Sequence, residues 1–96
     1  MVNINFQLEQ GILLTYYNII RYTGEIKNGL RHGTGKFYSA DDHLLYDGAW
    51  FNGLKHGIGK LDLKDQLVYV GDWYEGIRHG MGRITWPSKN FYEGEL

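Results

Sequence analysis

The sequence predicts an all-β fold, an antiparallel meander of stacked β-hairpins with roughly eight to ten short strands. Three observations carry this expectation. A line of glycines and aromatics recurs behind Tyr22, Tyr46, Tyr69 and Tyr92, at spacings of 24, 23 and 23 residues, and self-similarity at such a period marks a repeat architecture. Within each copy the apolar residues alternate with polar ones at the two-residue period of a strand. No stretch of useful length carries a 3.6-residue apolar period free of glycine, so helix is not expected.

Residues 1–21 open the chain as a degenerate copy that has lost most of its glycines. Gly11 lies 11 residues before Tyr22, as Gly35 does before Tyr46. Asn18 stands seven past Gly11, as the turn residue Asp42 stands seven past Gly35. Its first strand is expected over Val2–Leu8, where apolar and polar residues alternate. Terminal copies of a stack are atypical because they cap it, and that is the expected role of this segment. Full copies follow over 22–45, 46–68 and 69–91, and residues 92–96 begin another.

Each full copy reads as a hairpin. Tyr46, Gly48 and Trp50 share one face, and Asp47 and Ala49 the other. Asn52–Gly57 has the composition of a turn, and Gly59–Leu63 the return strand, with Leu61 and Leu63 on the face of Gly59. Asp41-Asp42, Asp65 and Pro87–Asn90 turn the chain into the next copy. All 14 glycines occupy repeat positions. For Gly24, Gly48 and Gly71 the expected reason is a flat ring lying across bare backbone, and for Gly29, Gly53 and Gly76 a positive φ in the turn. The rows Tyr22/Tyr46/Tyr69/Tyr92 and Ile26/Trp50/Trp73 are the expected structural core. Hairpins recur every ~10 Å, twice the strand spacing, so each ring should pack on the strand between copies rather than on its own row.

The pattern Tyr-x-Gly-x-Trp-x-x-Gly-x-x-His-Gly-x-Gly resembles the MORN repeat (membrane occupation and recognition nexus) across nearly the whole chain. Departures are small: Ile26 stands for the first tryptophan, and Glu75 where Asn28 and Asn52 stand. The resemblance implies an elongated, twisted single sheet of hairpins. It also implies one of several uses: protein scaffolding, membrane association, or service as an accessory domain beside lysine methyltransferases or lipid kinases.

Composition narrows the chemistry. Ninety-six residues with 43% hydrophobic content suit one domain, and a formal charge of −1 gives no basic footprint for nucleic acid. There are no cysteines, hence no disulfides or thiolate metal sites. Ile12–Ile20 is too short and too polar to span a bilayer and lacks the basic flank of a signal peptide, so a cytoplasmic protein is expected. His32, His56 and His79 recur at ~10 Å, too far apart to share a zinc ion whose ligands sit ~2 Å from the metal; each is expected to bond within its own hairpin. His43 has no ligand set around it. Gly29–Lys36 and Gly53–Lys60 fail as phosphate loops, because five residues separate the glycines and no helix follows. No catalytic constellation stands out, and no cofactor or metal is expected.

Two columns of cations have functional content. Arg31, Lys55 and Arg78 hold one turn position in every copy, and Lys36, Lys60 and Arg83 another just past the third glycine. Such rows suit an acidic protein surface or anionic lipid headgroups. The expected function is a non-enzymatic scaffold mediating protein–protein interaction. The alternatives are a peripheral membrane module at the cytoplasmic face of a membrane, or a regulatory part of a larger enzyme. At the C-terminal edge, Tyr92, Gly94 and Leu96 fall on the apolar face of a strand with no lysine or proline to guard it, and a homodimer through that edge is expected.

Overall fold

The computed structural model describes residues 4–7, 13–16 and 21–96. Its strands are β1 (Ile4–Gln7), β2 (Leu13–Tyr16), β3 (Arg21–Lys27), β4 (Leu30–Tyr38), β5 (Leu44–Phe51), β6 (Leu54–Asp62), β7 (Val68–Tyr74), β8 (Ile77–Thr85) and β9 (Phe91–Glu95). Strands β3 to β9 form one seven-stranded antiparallel sheet in sequence order, an open meander with no second layer among the described residues. β1 and β2 pair antiparallel as a separate two-stranded sheet. The first strand is thus present in the expected stretch, whereas the register positions Gly11 and Asn18 lie outside the described residues.

The hairpin turns are tighter than their composition suggests. Strand β5 ends at Phe51 and β6 resumes at Leu54, leaving only Asn52 and Gly53 between. Asn52 has φ 51° and Gly53 φ 87°; Asn28/Gly29 and Glu75/Gly76 match them at 53°/78° and 48°/87°. Positive φ at both central residues is the two-residue type I′ turn, whose twist suits a hairpin. The stretch Asn52–Gly57 is therefore not one long turn. Its last four residues already belong to the return strand.

Glycine explains how. From Gly48↔Gly59 to Trp50↔Lys55, two steps along β5 face four along β6, and the same slip recurs beyond Gly24 and Gly71. The excess residues are absorbed at Gly33, Gly57 and Gly80, each with φ between 71° and 97°. A glycine bulge of this kind keeps Lys55, Gly57, Gly59 and Leu61 on one face while bending the strand.

The core lies along that same face. Tyr46 and Tyr69 are fully buried, Tyr22, Trp50 and Trp73 nearly so, and Ile26, Phe37, Leu61, Leu67 and Ile84 pack around them. The rings interleave between rows: Trp50 stands edge-on to Tyr22 and Tyr46 with centroids at 5.5 and 4.9 Å, and Trp73 to Tyr46 and Tyr69 at 5.4 and 5.3 Å. Edge-to-face contact is the geometry that aromatic quadrupoles favour. The Nε1–H of each of these two tryptophans donates to the neighbouring strand, from Trp50 to the Gly35 carbonyl at 3.1 Å and from Trp73 to Gly59 at 3.2 Å. Each tyrosine hydroxyl donates to the carbonyl three residues on, that of Glu25, Ala49, Asp72 or Glu95.

Two sequence expectations are corrected here. The ring lies over Gly35, Gly59 and Gly82 rather than chiefly over Gly24, Gly48 and Gly71. A Cβ on Gly59 would sit 2.0 Å from the Tyr46 hydroxyl, whereas one on Gly48 first meets the Gly59 Cα at 2.4 Å. Glycine faces glycine so that two backbones can approach and the next ring can cover them. Tyr92, expected in the core, is 45% exposed; among the described residues no tryptophan packs on its ring as Trp50 does on Tyr22 and Trp73 on Tyr46.

Candidate functional site

The two cation columns stand on opposite faces of the sheet, which sequence spacing alone did not separate. Arg31, Lys55 and Arg78 pair across the ladder with Ile26, Trp50 and Trp73, so they line the aromatic face. They are strand residues, not turn residues. The Arg31 guanidinium lies 4.7 Å from the Trp50 ring centroid and 5.3 Å from that of Phe37, and it donates to the Gly53 carbonyl at 3.2 Å. The Lys55 ammonium sits between three rings, 5.3 Å from Tyr46, 5.7 Å from Trp50 and 5.6 Å from Trp73. Arg78 lies 5.6 Å from Tyr69. These distances are within cation–π range.

No carboxylate meets these three side chains in an ion pair among the described residues. Burial against the rings lowers the pKa of Arg31 and of Lys55, and Lys55 is lowered further by the positive charge of Arg31. A partly desolvated cation beside a like charge, with only rings and a carbonyl for company, has unspent capacity for an anion. Burial in turn pushes the Tyr22 hydroxyl up to about 12, against the lowering effect of Arg31. Tyr46 and Tyr69 are raised for the same first reason.

The second column is balanced. Lys36 and Lys60 both lie across from Asp47, and Arg83 bonds Glu93 at 3.3 Å while its guanidinium covers Phe91 at 4.1 Å. Cations neighbour carboxylates on both sides of Val70, Lys36 and Lys60 beside Asp47 and Arg83 beside Glu93, as on a solvated surface. Lys64 and Asp41 tie two successive inter-repeat turns together by an ion pair. That contact, with a hydrogen bond from Ser39, holds the Asp41 carboxyl well below the usual carboxylate range.

The histidines do something the sequence did not suggest. Each was expected to bond within its own hairpin, yet His32 Nδ1 accepts the Asn52 N–H at 3.4 Å and His56 Nδ1 the Glu75 N–H at 3.2 Å. The bond therefore links one repeat to the turn of the next. The rings form a second ladder on the outer face, His32–Phe51–His56–Tyr74–His79, with centroid separations of 5.0 to 6.1 Å. Among the described residues no three metal-ligating side chains come together.

Sequence reasoning also passed over an apolar ridge. Leu30, Phe51, Leu54, Tyr74 and Ile77 are all exposed. Their recurrence at equivalent positions, Leu30/Leu54/Ile77 and Phe51/Tyr74, was the signal that would have found it. Nearby, Ile58, Val70 and Met81 line a shallow outer groove with Arg83 and Glu93. No catalytic geometry accompanies either feature.

An open one-layer sheet, built from hairpins that share one aromatic seam and differ mainly in what they present outside it, defines a β-hairpin repeat protein. The MORN repeat family model matches residues 22–43, 46–68 and 69–91, most of the chain, and the protein belongs to that family. None of the curated proteins compared matches this chain.

Proposed function

We propose that this chain is a non-enzymatic scaffold that binds another protein across a face of its sheet. The observation that carries the reading is the exposed apolar ridge at the hairpin tips, where Tyr74 is 53% and Ile77 67% accessible on a sheet with no covering layer among the described residues. Contiguous exposed apolar surface of this kind marks interaction sites, and repeat stacks present extended binding surfaces. The family is one of generally non-catalytic modules, which agrees. The proposed setting is the cytoplasm; no helix among the described residues is long and apolar enough to cross a membrane.

Membrane association is the less favoured use. A bilayer surface is flat, whereas the two cation columns face opposite ways and the outer one is interleaved with carboxylates. A homodimer through β9 is a further proposal, supported by the open edge of that strand and by the exposure of Tyr92 and Leu96. The test of the scaffold reading is affinity capture on the immobilised chain, compared with a folded Tyr74→Ser/Ile77→Ser variant, alongside sedimentation with anionic vesicles. Proteins retained by the parent and lost by the variant support it. The same proteins on both, or pelleting with vesicles and no retained protein, would refute it.

A further inference from the structure

We infer that the row Arg31–Lys55–Arg78 on the aromatic face is a docking track for an acidic polypeptide segment in extended conformation, with one carboxylate for each cation. This rests on the protein-binding reading above and names the chemistry of one partner. Three observations converge on it. The three cations share a face, directly across the ladder from Ile26, Trp50 and Trp73. None of them has a carboxylate partner among the described residues, while the outer cations Lys36, Lys60 and Arg83 lie beside Asp47 or Glu93. Each stands over rings, so a ligand there meets both charge and an apolar floor.

Spacing selects the occupant. Equivalent positions in successive hairpins lie ~10 Å apart, twice the strand separation. A polyproline II segment advances ~3.1 Å per residue with three residues per turn, so every third side chain points the same way at about 9.3 Å. A β-strand has the right rise but alternates its faces, so every third side chain points away. A helix reaches a similar distance only after seven residues, along a straight line. The row is not straight, because neighbouring strands rotate by roughly 20–25°. A pliable extended segment can follow that coil, and neither a rigid helix nor a flat bilayer can.

The anion has something to gain. Both Arg31 and Lys55 are half-buried against rings and sit near one another's charge. A carboxylate between them relieves the repulsion and completes hydrogen-bonding valences that the rings leave open. The Arg31 guanidinium spends one donor on the Gly53 carbonyl and keeps others.

The test is fluorescence anisotropy of a labelled peptide carrying three glutamates, each separated by two prolines, titrated with the full 96-residue chain. A second peptide has the same composition with its glutamates contiguous. The spaced peptide is expected to bind at least about tenfold tighter, since one charge-assisted bond lost is worth a factor of ten or more. Its affinity should fall with salt. Lys55→Met keeps the linear stem and removes the charge, and Arg78→Gln alters an exposed side chain; each should weaken binding about tenfold. Lys60→Met, on the other face, should leave it unchanged. Circular dichroism melts confirm that the variants are folded. Equal affinity for both peptides, or equal loss in Lys55→Met and Lys60→Met, overturns the track. So does sedimentation with phosphatidylserine vesicles that Lys55→Met abolishes, with no peptide bound. If neither peptide binds while the capture lost in Tyr74→Ser/Ile77→Ser persists, the track is wrong and the scaffold reading stands.

Discussion

Replacing Gly59 by alanine should be among the most damaging single-methyl additions in the molecule. The new Cβ would lie 2.0 Å from the Tyr46 hydroxyl, 2.3 Å from Cζ and 2.6 Å from Cε1. Carbon contacts settle at about 3.5–4.0 Å, so the ring must retreat by more than an ångström. It then leaves its slot between Trp50 and Trp73, where the centroid distances are 4.9 and 5.4 Å, and breaks the 2.9 Å bond to the Ala49 carbonyl. One hydrogen bond at about 1 kcal/mol and two edge-to-face contacts at about 0.5–1.5 each give about 2–4 kcal/mol. The smaller entropy of an unfolded alanine returns only about 0.4–1 of that. Urea unfolding should therefore show a loss of about 2 kcal/mol, or on the order of 10 °C in Tm. Because the cause is one ring, the effect must be coupled to it. Tyr46→Leu, too short to reach Gly59, should cost about 2–3 kcal/mol alone, and the double variant little more than the worse single change. Additive losses, or a loss below about 1 kcal/mol for Gly59→Ala, would refute the ring-on-glycine account.

Four other outcomes follow from the same geometry. Glu75 holds φ 48° in a turn where its counterparts are Asn28 and Asn52, so Glu75→Asn should raise stability by up to about 1 kcal/mol; no gain in a thermal melt would contradict the turn assignment. Gly53→Val should cost at least about 1–2 kcal/mol although only a Leu30 methyl lies within 4 Å, at 3.7 Å, because φ is 87°; unchanged stability in urea would show that the turn tolerates another shape. Buried phenols of raised pKa, Tyr22 at about 12, stabilise fully below the unfolded value near 10 and lose that contribution as pH climbs towards the folded one. Tm should then hold level to about pH 9 and fall above about pH 10, as stability drops by at most about 1.4 kcal/mol per tyrosine per pH unit; a level Tm to pH 12 speaks against burial as the cause. Sedimentation equilibrium should reveal a dimer that deletion of residues 92–96 weakens, and a monomer at micromolar concentration would end the β9 proposal.

Much of the fold was legible because strand alternation and the repeat agree at Tyr46, Gly48 and Trp50, which do share the buried face. The turn glycines Gly29, Gly53 and Gly76 were legible too, since Asn-Gly has a known backbone requirement. The bulges were not. A left-handed glycine inside a strand, as at Gly57, leaves the alternation of faces intact, but the composition Leu54-Lys55-His56-Gly57 imitates a loop. That single misreading moved Arg31, Lys55 and Arg78 from the aromatic face to the turns. The site was half visible: the cation columns were found from their period, but reading Leu54–Gly57 as a loop hid the plain alternation that puts Lys55 on the face of Gly59 and Lys60 on the other. Tyr92 illustrates another limit, because burial belongs to the neighbours a residue acquires and not to its place in a motif.

Besides the strand ladders and forward side-chain bonds such as that from Arg31 to the Gly53 carbonyl, one recurring set of bonds between repeats runs one way. Trp50, Asn52 and Gly53 donate to Gly35, His32 and Arg31, and Trp73, Glu75 and Gly76 donate to Gly59, His56 and Lys55. In these contacts the later repeat contributes only donors and the earlier one only acceptors. The stack is therefore directional, like a plug-and-socket series. A chain synthesised from its N-terminus can seat each new hairpin on a finished predecessor, with the next set of sockets already in place. Two like ends cannot mate through these groups, since acceptor would meet acceptor. A two-fold association at the C-terminal side would therefore rest on other groups, whereas a contact through the plugs and sockets themselves would be head-to-tail and would lengthen the sheet.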